Sequence, residues 1–302
     1  MTPIVDRQIP GRGADQGVPA AAVSSARNLY LLAPAAAVLA LIPVAVLVHY
    51  PLDFGLAYRG GQEAWSSGHP ERLLTWTATP FFALVMAALI FVPAGSLKFW
   101  QGWVYMAIFF APTIASTIYF YRHDPGLIER RMQTQEKEGA QKLIMGVVKP
   151  VFLVSMLLPG LDYRFGWSQR AGLLRAFGLT PEFQLWLTIV SQAMVLAGYL
   201  VILWVMKTNS FASSIVEVSA DQQVISSGPY AIVRHPMYLG GVVLLLFTPL
   251  ALGSYWALPG FLLITLLIVF RLLNEEKVLR NQLPGYAEYC RRTRYRLIPG
   301  IW

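Results

Sequence analysis

Of the 302 residues, 56% are hydrophobic and only 13% are charged, whereas an ordinary soluble domain carries roughly 25% charged residues. That deficit excludes a water-soluble globule. The 24 lysines and arginines outnumber 16 acids, but they sit at the ends of apolar runs and form no basic stripe interleaved with aromatics, so the expected partner is a membrane and not nucleic acid.

In chain order, residues 1–27 are rich in Pro, Gly, Ala and Ser and read as a disordered tail. Residues 29–48 follow without a charge, and such a run of ~20 residues crosses ~30 Å of hydrocarbon at ~1.5 Å per residue. It exceeds the ~7–15-residue core of a cleaved signal peptide. Six further apolar runs lie at 73–92, 99–120, 144–161, 183–206, 237–252 and 257–270. The expected fold is therefore all-α: a polytopic membrane protein of about seven transmembrane helices. The fourth run is interrupted by Lys149 and Pro150 and ends at Pro159, which predicts a short or kinked helix. Only Gly253, Ser254, Tyr255 and Trp256 separate the last two runs, so they form a tight helical hairpin with both outer ends in one compartment. With a cytoplasmic C-terminus, 17 of the 24 basic residues fall inside and 7 outside, which fixes the orientation. Three parts result: the tail, the first five helices at 28–206 with a cytoplasmic loop at 121–143, and a C-terminal core at 207–302.

Metal and redox chemistry find little support. One cysteine, Cys290, permits no intrachain disulfide, and His49, His69, His123 and His235 form no HExxH motif or His/Cys cluster. There is no GxGxxG and no GxxxxGK[ST].

Three polar stretches interrupt the apolar pattern. The first, 121–141, reads as a solvated cytoplasmic amphipathic helix. The second, 161–168, sets Asp162 and Arg164 among aromatics and suits an interfacial belt in which the two pair or cap. The third, 207–241, carries a turn at Ser226-Ser227-Gly228-Pro229-Tyr230, then Arg234-His235-Pro236-Met237-Tyr238 at the mouth of the hairpin whose far end returns Arg271, Glu275 and Glu276 to the same face. Arg234 and His235 at a helix N-terminus suit a carboxylate or phosphate. The adjacent Glu275 and Glu276 suit an ammonium, a ribose diol or a cationic centre, so the expected ligand is zwitterionic. Pro236 fits a first helical turn, and Gly240 and Gly241 admit close approach of a backbone or a flat ring. Taken singly, each of these residues is equally an ordinary surface charge; their convergence carries the reading.

Gly228-Pro229-Tyr230, Arg234-His235-Pro236, Tyr238 and Gly240, followed by Glu275-Glu276 and Leu279 and then Tyr286 and Tyr289, resemble the isoprenylcysteine carboxyl methyltransferase and phospholipid methyltransferase superfamily, an integral membrane group. The resemblance is strong over 207–302. It implies a pocket for S-adenosylmethionine facing the cytoplasm, lined by Gln222, Gln223, Val224, Ile225, Tyr230, Arg234, His235, Pro236, Met237, Tyr238 and Glu276. It also implies a lipid, prenylated or other hydrophobic acceptor entering between helices, and no metal. Arg271 is the candidate anchor for an acceptor carboxylate, and Glu275 the candidate base for an acceptor amine. The residues leave both acceptor types open.

Two other classes compete. The C-terminal residues Tyr289-Cys290-Arg291-Arg292 through Pro299 are similar to those of NADPH-dependent membrane sterol reductases, but this chain has Met237 and Gly241 where those enzymes resemble one another in carrying Asn and an acid. A non-catalytic transporter would place charges near the bilayer midplane, and the long runs here hold only Lys149.

Overall fold

The computed structural model describes residues 70–132, 139–170, 180–211 and 222–302, and among them every regular element is helical. The tail and the run at 29–48 lie outside the described residues. The helices are α1 (Pro70–Ala94), α2 (Trp100–His123), α3 (Pro125–Met132), α4 (Gly139–Phe165), α5 (Trp167–Arg170), α6 (Pro181–Thr208), α7 (Pro236–Ala251), α8 (Leu258–Gln282) and α9 (Tyr286–Arg292), with a 3₁₀ turn at Gly228–Ala231. Four segments are long and apolar enough to cross a membrane: Trp100–Phe120, Gly139–Phe165, Pro181–Thr208 and Leu258–Gln282. Two shorter apolar segments, Thr79–Ala94 and Pro236–Ala251, complete the set among the described residues.

Three local expectations change. The fourth run is not short: α4 continues for 27 residues through Pro150 and Pro159, because a proline removes one backbone donor yet packed neighbours can support the helix around it. The loop at 121–143 contains α3 and the start of α4. The Asp124 carboxylate accepts from the Leu127 amide at 3.0 Å, and Leu127, fully buried, packs with Phe120 and Met237. This polar stretch is thus helical, as expected, but seated on the bundle through Leu127 and not wholly solvated. Asp162 does not pair with Arg164. Its carboxylate accepts from the Ser168 amide at 2.7 Å, the Ser168 hydroxyl at 2.5 Å and the Ser254 hydroxyl at 2.6 Å, which fastens the α4–α5 corner to the α7–α8 turn.

The apolar core runs between α1, α2, α4, α7 and α8, around Met86, Ile90, Tyr105, Met156, Phe261 and Ile264. Small residues let backbones touch, as in membrane helix pairs generally. A Cβ at Gly160 of α4 would lie 2.4 Å from the Ile90 carbonyl oxygen of α1, and one at Gly240 of α7 would lie 2.7 Å from the Gly198 carbonyl oxygen of α6. Gly240 thus meets a backbone, as its sequence context suggested. Substituting alanine at Gly240 or Gly160 is expected to cost about 1–3 kcal/mol by overpacking, read as a lower thermal midpoint in detergent. Alanine at Gly146, which has nothing within 4 Å, is expected to leave the midpoint unchanged or raise it slightly.

Candidate functional site

The segment entering α7 is shaped by its turn residues. Gly228 takes φ +57°, a left-handed value that favours glycine, and Pro229 opens the 3₁₀ turn. A short irregular stretch, 232–235, then leads to the helix. The Arg234 amide donates to the Tyr295 carbonyl at 2.8 Å and the His235 amide to the Arg296 carbonyl at 3.0 Å, so the C-terminal strand of chain lies alongside the helix entrance. Pro236 begins α7, where its missing N–H costs nothing.

These segments are held by one carboxylate. Glu276 of α8 is 3% exposed. Its Oε1 lies 3.2 Å from Arg234 Nη2 and 2.8 Å from Arg280 Nη2, and its Oε2 accepts from Arg296 Nε at 2.6 Å. His235 Nε2 stands 4.0 Å from Oε2, beyond hydrogen-bond range. Arg296 in turn lies over the Trp302 ring at 5.5 Å. The hub therefore joins the α7 entrance, α8 and the C-terminal segment.

Above the hub opens a cavity of about 530 Å³, within the range of small-molecule sites. Of the residues expected from the sequence, Gln222, Gln223, Val224, Ile225, Tyr230, Arg234, His235, Pro236, Met237, Tyr238, Arg271 and Glu275 all line it. Glu276 is not among its walls. Helix geometry explains the split: neighbours on a helix point ~100° apart, so Arg271, Glu275 and Leu279 share the cavity face with Ile268 while Glu276 turns into the hub. The two adjacent carboxylates expected to act together are thus divided between wall and support.

Inside the cavity, Tyr238 donates to Glu275 and also hydrogen-bonds Arg271. The Arg271 guanidinium reaches Gln141 Oε1 at 3.4 Å, and Gln141 Nε2 donates to the Arg271 carbonyl at 3.3 Å, so α4 steadies this corner. Several wall residues were not legible as such. Arg131 of α3 approaches the Met237 sulfur at 3.2 Å. Asn209 donates to the Tyr230 hydroxyl at 2.8 Å, and the Tyr289 hydroxyl to the Tyr230 carbonyl at 2.8 Å. Tyr286 and Tyr289, spaced three apart on α9, were visible as a motif without an assigned position. Arg131 gave no signal beyond a charge in a polar stretch. Below this polar mouth the walls turn apolar, with Met86 of α1, Tyr105 and Phe109 of α2, Phe152 of α4, Leu245 of α7 and Ile268 of α8.

Electrostatics modify the expected anion site. Burial, reinforced by the Arg234 and Arg296 cations and opposed by the Glu276 carboxylate, pushes His235 down to about 4, so it is neutral at pH 7. Burial likewise raises Tyr230, Tyr286 and Tyr289 and lowers Arg131. His235 therefore adds no charge toward an anion at the α7 entrance, and that part falls to arginines, Arg234 foremost. Its guanidinium pairs with Glu276, while its buried Nε has no hydrogen-bond partner among the described residues. That orphaned donor is the candidate partner for a ligand oxygen.

Two outcomes follow. Glu276→Gln leaves Arg234 buried without its counter-charge and is expected to lower stability by roughly 3–5 kcal/mol, measured by unfolding in detergent, so this variant is more than a ligand-binding defect. Between pH 6.5 and 4 the unfolded chain takes up a proton at residue 235 that the folded chain refuses. Stability is therefore fully present above pH 6.5 and falls by roughly 3 kcal/mol as pH drops through that window. In His235→Gln this part of the pH dependence of the thermal midpoint should vanish.

Among curated proteins, the chain is 34% identical over 90 residues to the delta(14)-sterol reductase TM7SF2 of Mus musculus, a match covering 29% of this chain and 22% of that protein. The chain thus matches under a quarter of the relative's length. Residues 186–284, which run from within α6 through α8 and carry the α7 entrance, Glu276 and part of the cavity wall, match the family model described as phospholipid methyltransferase, a family of the integral membrane methyltransferase superfamily.

Proposed function

We propose that this protein transfers a methyl group from S-adenosylmethionine to a hydrophobic or lipid-linked acceptor inside the membrane boundary. The observation that carries the reading is the two-part cavity, in which a mouth of guanidinium, carboxylate, amide and phenol groups continues into an arm walled by membrane helices. A water-soluble charged donor suits the mouth and an apolar acceptor suits the arm.

When bound, S-adenosylmethionine supplies an electrophilic methyl group on a sulfonium sulfur. Gln222, Gln223, Val224, Ile225, Tyr230, Pro236, Met237 and Tyr238 would hold it, with the Arg234 guanidinium, whose buried Nε is unpartnered among the described residues, toward its carboxylate and His235 as a neutral wall. Glu276 acts at one remove by fixing Arg234 and the C-terminal segment. Arg271, steadied by Gln141, anchors an acceptor carboxylate, whereas Glu275, hydrogen-bonded to Tyr238, receives the proton that an ammonium acceptor must lose before it can attack. The helices exclude water and align the partners, an effect that supplies roughly 7–11 kcal/mol in well-oriented reactions. In this reading the chain has about seven spans, the C-terminus and the polar mouth face the cytoplasm, and the C-terminal core at 207–302 is the catalytic part.

The specific observation on the other side is the local identity with a sterol reductase, which would make the donor NADPH. The test is methyl-labelled S-adenosylmethionine supplied to membranes containing the full chain, followed by extraction of labelled lipid. Label in the lipid fraction supports the reading, and no label above that of membranes lacking the protein contradicts it. Arg271→Ala is expected to lower turnover while leaving donor affinity nearly intact. Glu275→Gln is expected to lower turnover about 10²–10⁴-fold for an amine acceptor and to have little effect for a carboxylate acceptor, so the pair reads out the acceptor class.

A further inference from the structure

The last residues of the chain do more than pack against the α7 entrance. The entrance of α7 at Pro236 carries the charged cluster of Arg234, Glu276, Arg280 and Arg296, groups that are costly within hydrocarbon, and so belongs at the membrane–water boundary. Tyr295 and Arg296 are hydrogen-bonded to the two residues before that entrance, which places the C-terminal segment at the same boundary.

The segment has two sides. Inward, Arg296 grips Glu276, and Leu297 is buried. Outward, Ile298 and Ile301 are 45% and 79% exposed. This is a built turn and not a loose end: the Leu297 and Ile298 amides both donate to the Trp302 carbonyl at 2.9 Å, the Ile301 amide donates back to Ile298, and Gly300 takes φ +82° to reverse the chain. The same C-terminal segment carries exposed arginines. Arg291 and Arg292 share Glu288 at 2.7 and 3.5 Å, and Arg294 is exposed and pairs with no acid among the described residues. Over 283–302 four arginines face a single acid.

Two exposed apolar side chains and an excess of guanidinium in one segment at the membrane boundary match an anionic lipid surface, with the isoleucines entering the acyl boundary and the arginines meeting phosphate groups. We propose that residues 291–302 form a strap that docks on anionic phospholipid and in doing so clamps the Arg234 and His235 backbone at the mouth of the cavity. The surface is independent of which reaction the cavity performs.

The test uses the full chain in nanodiscs of phosphatidylcholine alone and of three parts phosphatidylcholine to one part phosphatidylserine. A fluorophore on Ile301→Cys, in a Cys290→Ser background, is read against a quencher carried at the lipid headgroup. Several-fold stronger quenching in the anionic discs is expected, reversed by high salt and by Arg291→Gln, Arg292→Gln and Arg294→Gln together. The amide hydrogens of Arg234 and His235 should exchange several-fold more slowly in the anionic discs. A label equally exposed to water in both discs overturns the proposal, as does quenching that ignores lipid charge, salt and the triple substitution. Unchanged exchange at 234 and 235 despite docking overturns the clamp.

Discussion

The structure of the site depends on the burial of the Glu276 carboxylate. An isolated carboxylate in a low-dielectric interior carries a desolvation cost of several kcal/mol, which only well-placed donors offset. Here three guanidiniums supply them, from residues 234, 280 and 296. Arg280 and Arg296 are partly exposed, which reduces the cost on their side, whereas Arg234 is buried and depends on the carboxylate. An ion network of this kind is weak as a source of stability and strong as a specifier. It accepts one arrangement of the α7 entrance, α8 and the C-terminal segment, and that arrangement is the mouth of the cavity.

Once Glu276 is fixed, the periodicity of α8 assigns the rest. Residues 268, 271, 275 and 279 fall on the cavity face, so a cation and an acid stand one turn apart at the level where the polar mouth gives way to apolar walls. Tyr238 of α7 bridges them. Gly240, one residue past Leu239, lets α7 approach the backbone of α6, while Gly241 faces the cavity. Close helix packing on one side of α7 and open space on the other thus follow from two adjacent glycines. His235, kept neutral by burial, contributes shape without adding a second cation beside Arg234.

Much of this was legible because membrane chains write their constraints strongly. Charge depletion over ~20-residue stretches marks helices, and turn chemistry at Gly228-Pro229 and Pro236 marks the entrance. Other features leave no such mark. Pro150 and Pro159 signal a break in an isolated sequence, but α4 runs through both because its neighbours support it. The pairing of Asp162 with Ser168 and Ser254 spans 92 residues to its farther partner, a distance no local pattern encodes. The adjacent acids Glu275 and Glu276 looked like one functional pair, and only helix geometry separates wall from support. The apolar arm is silent for a different reason: Met86, Phe109 and Ile268 are the residue types that would fill a core in any case.

The chain shares 34% identity over 90 residues with a sterol reductase and matches the phospholipid methyltransferase family over residues 186–284, so the donor is the decisive variable. The most direct measurement is calorimetric titration of the purified full chain with S-adenosylmethionine and, separately, with NADPH. The account predicts saturable binding of S-adenosylmethionine, weakened by Arg234→Gln and unaffected by NADPH. Saturable binding of NADPH with none of S-adenosylmethionine would contradict it.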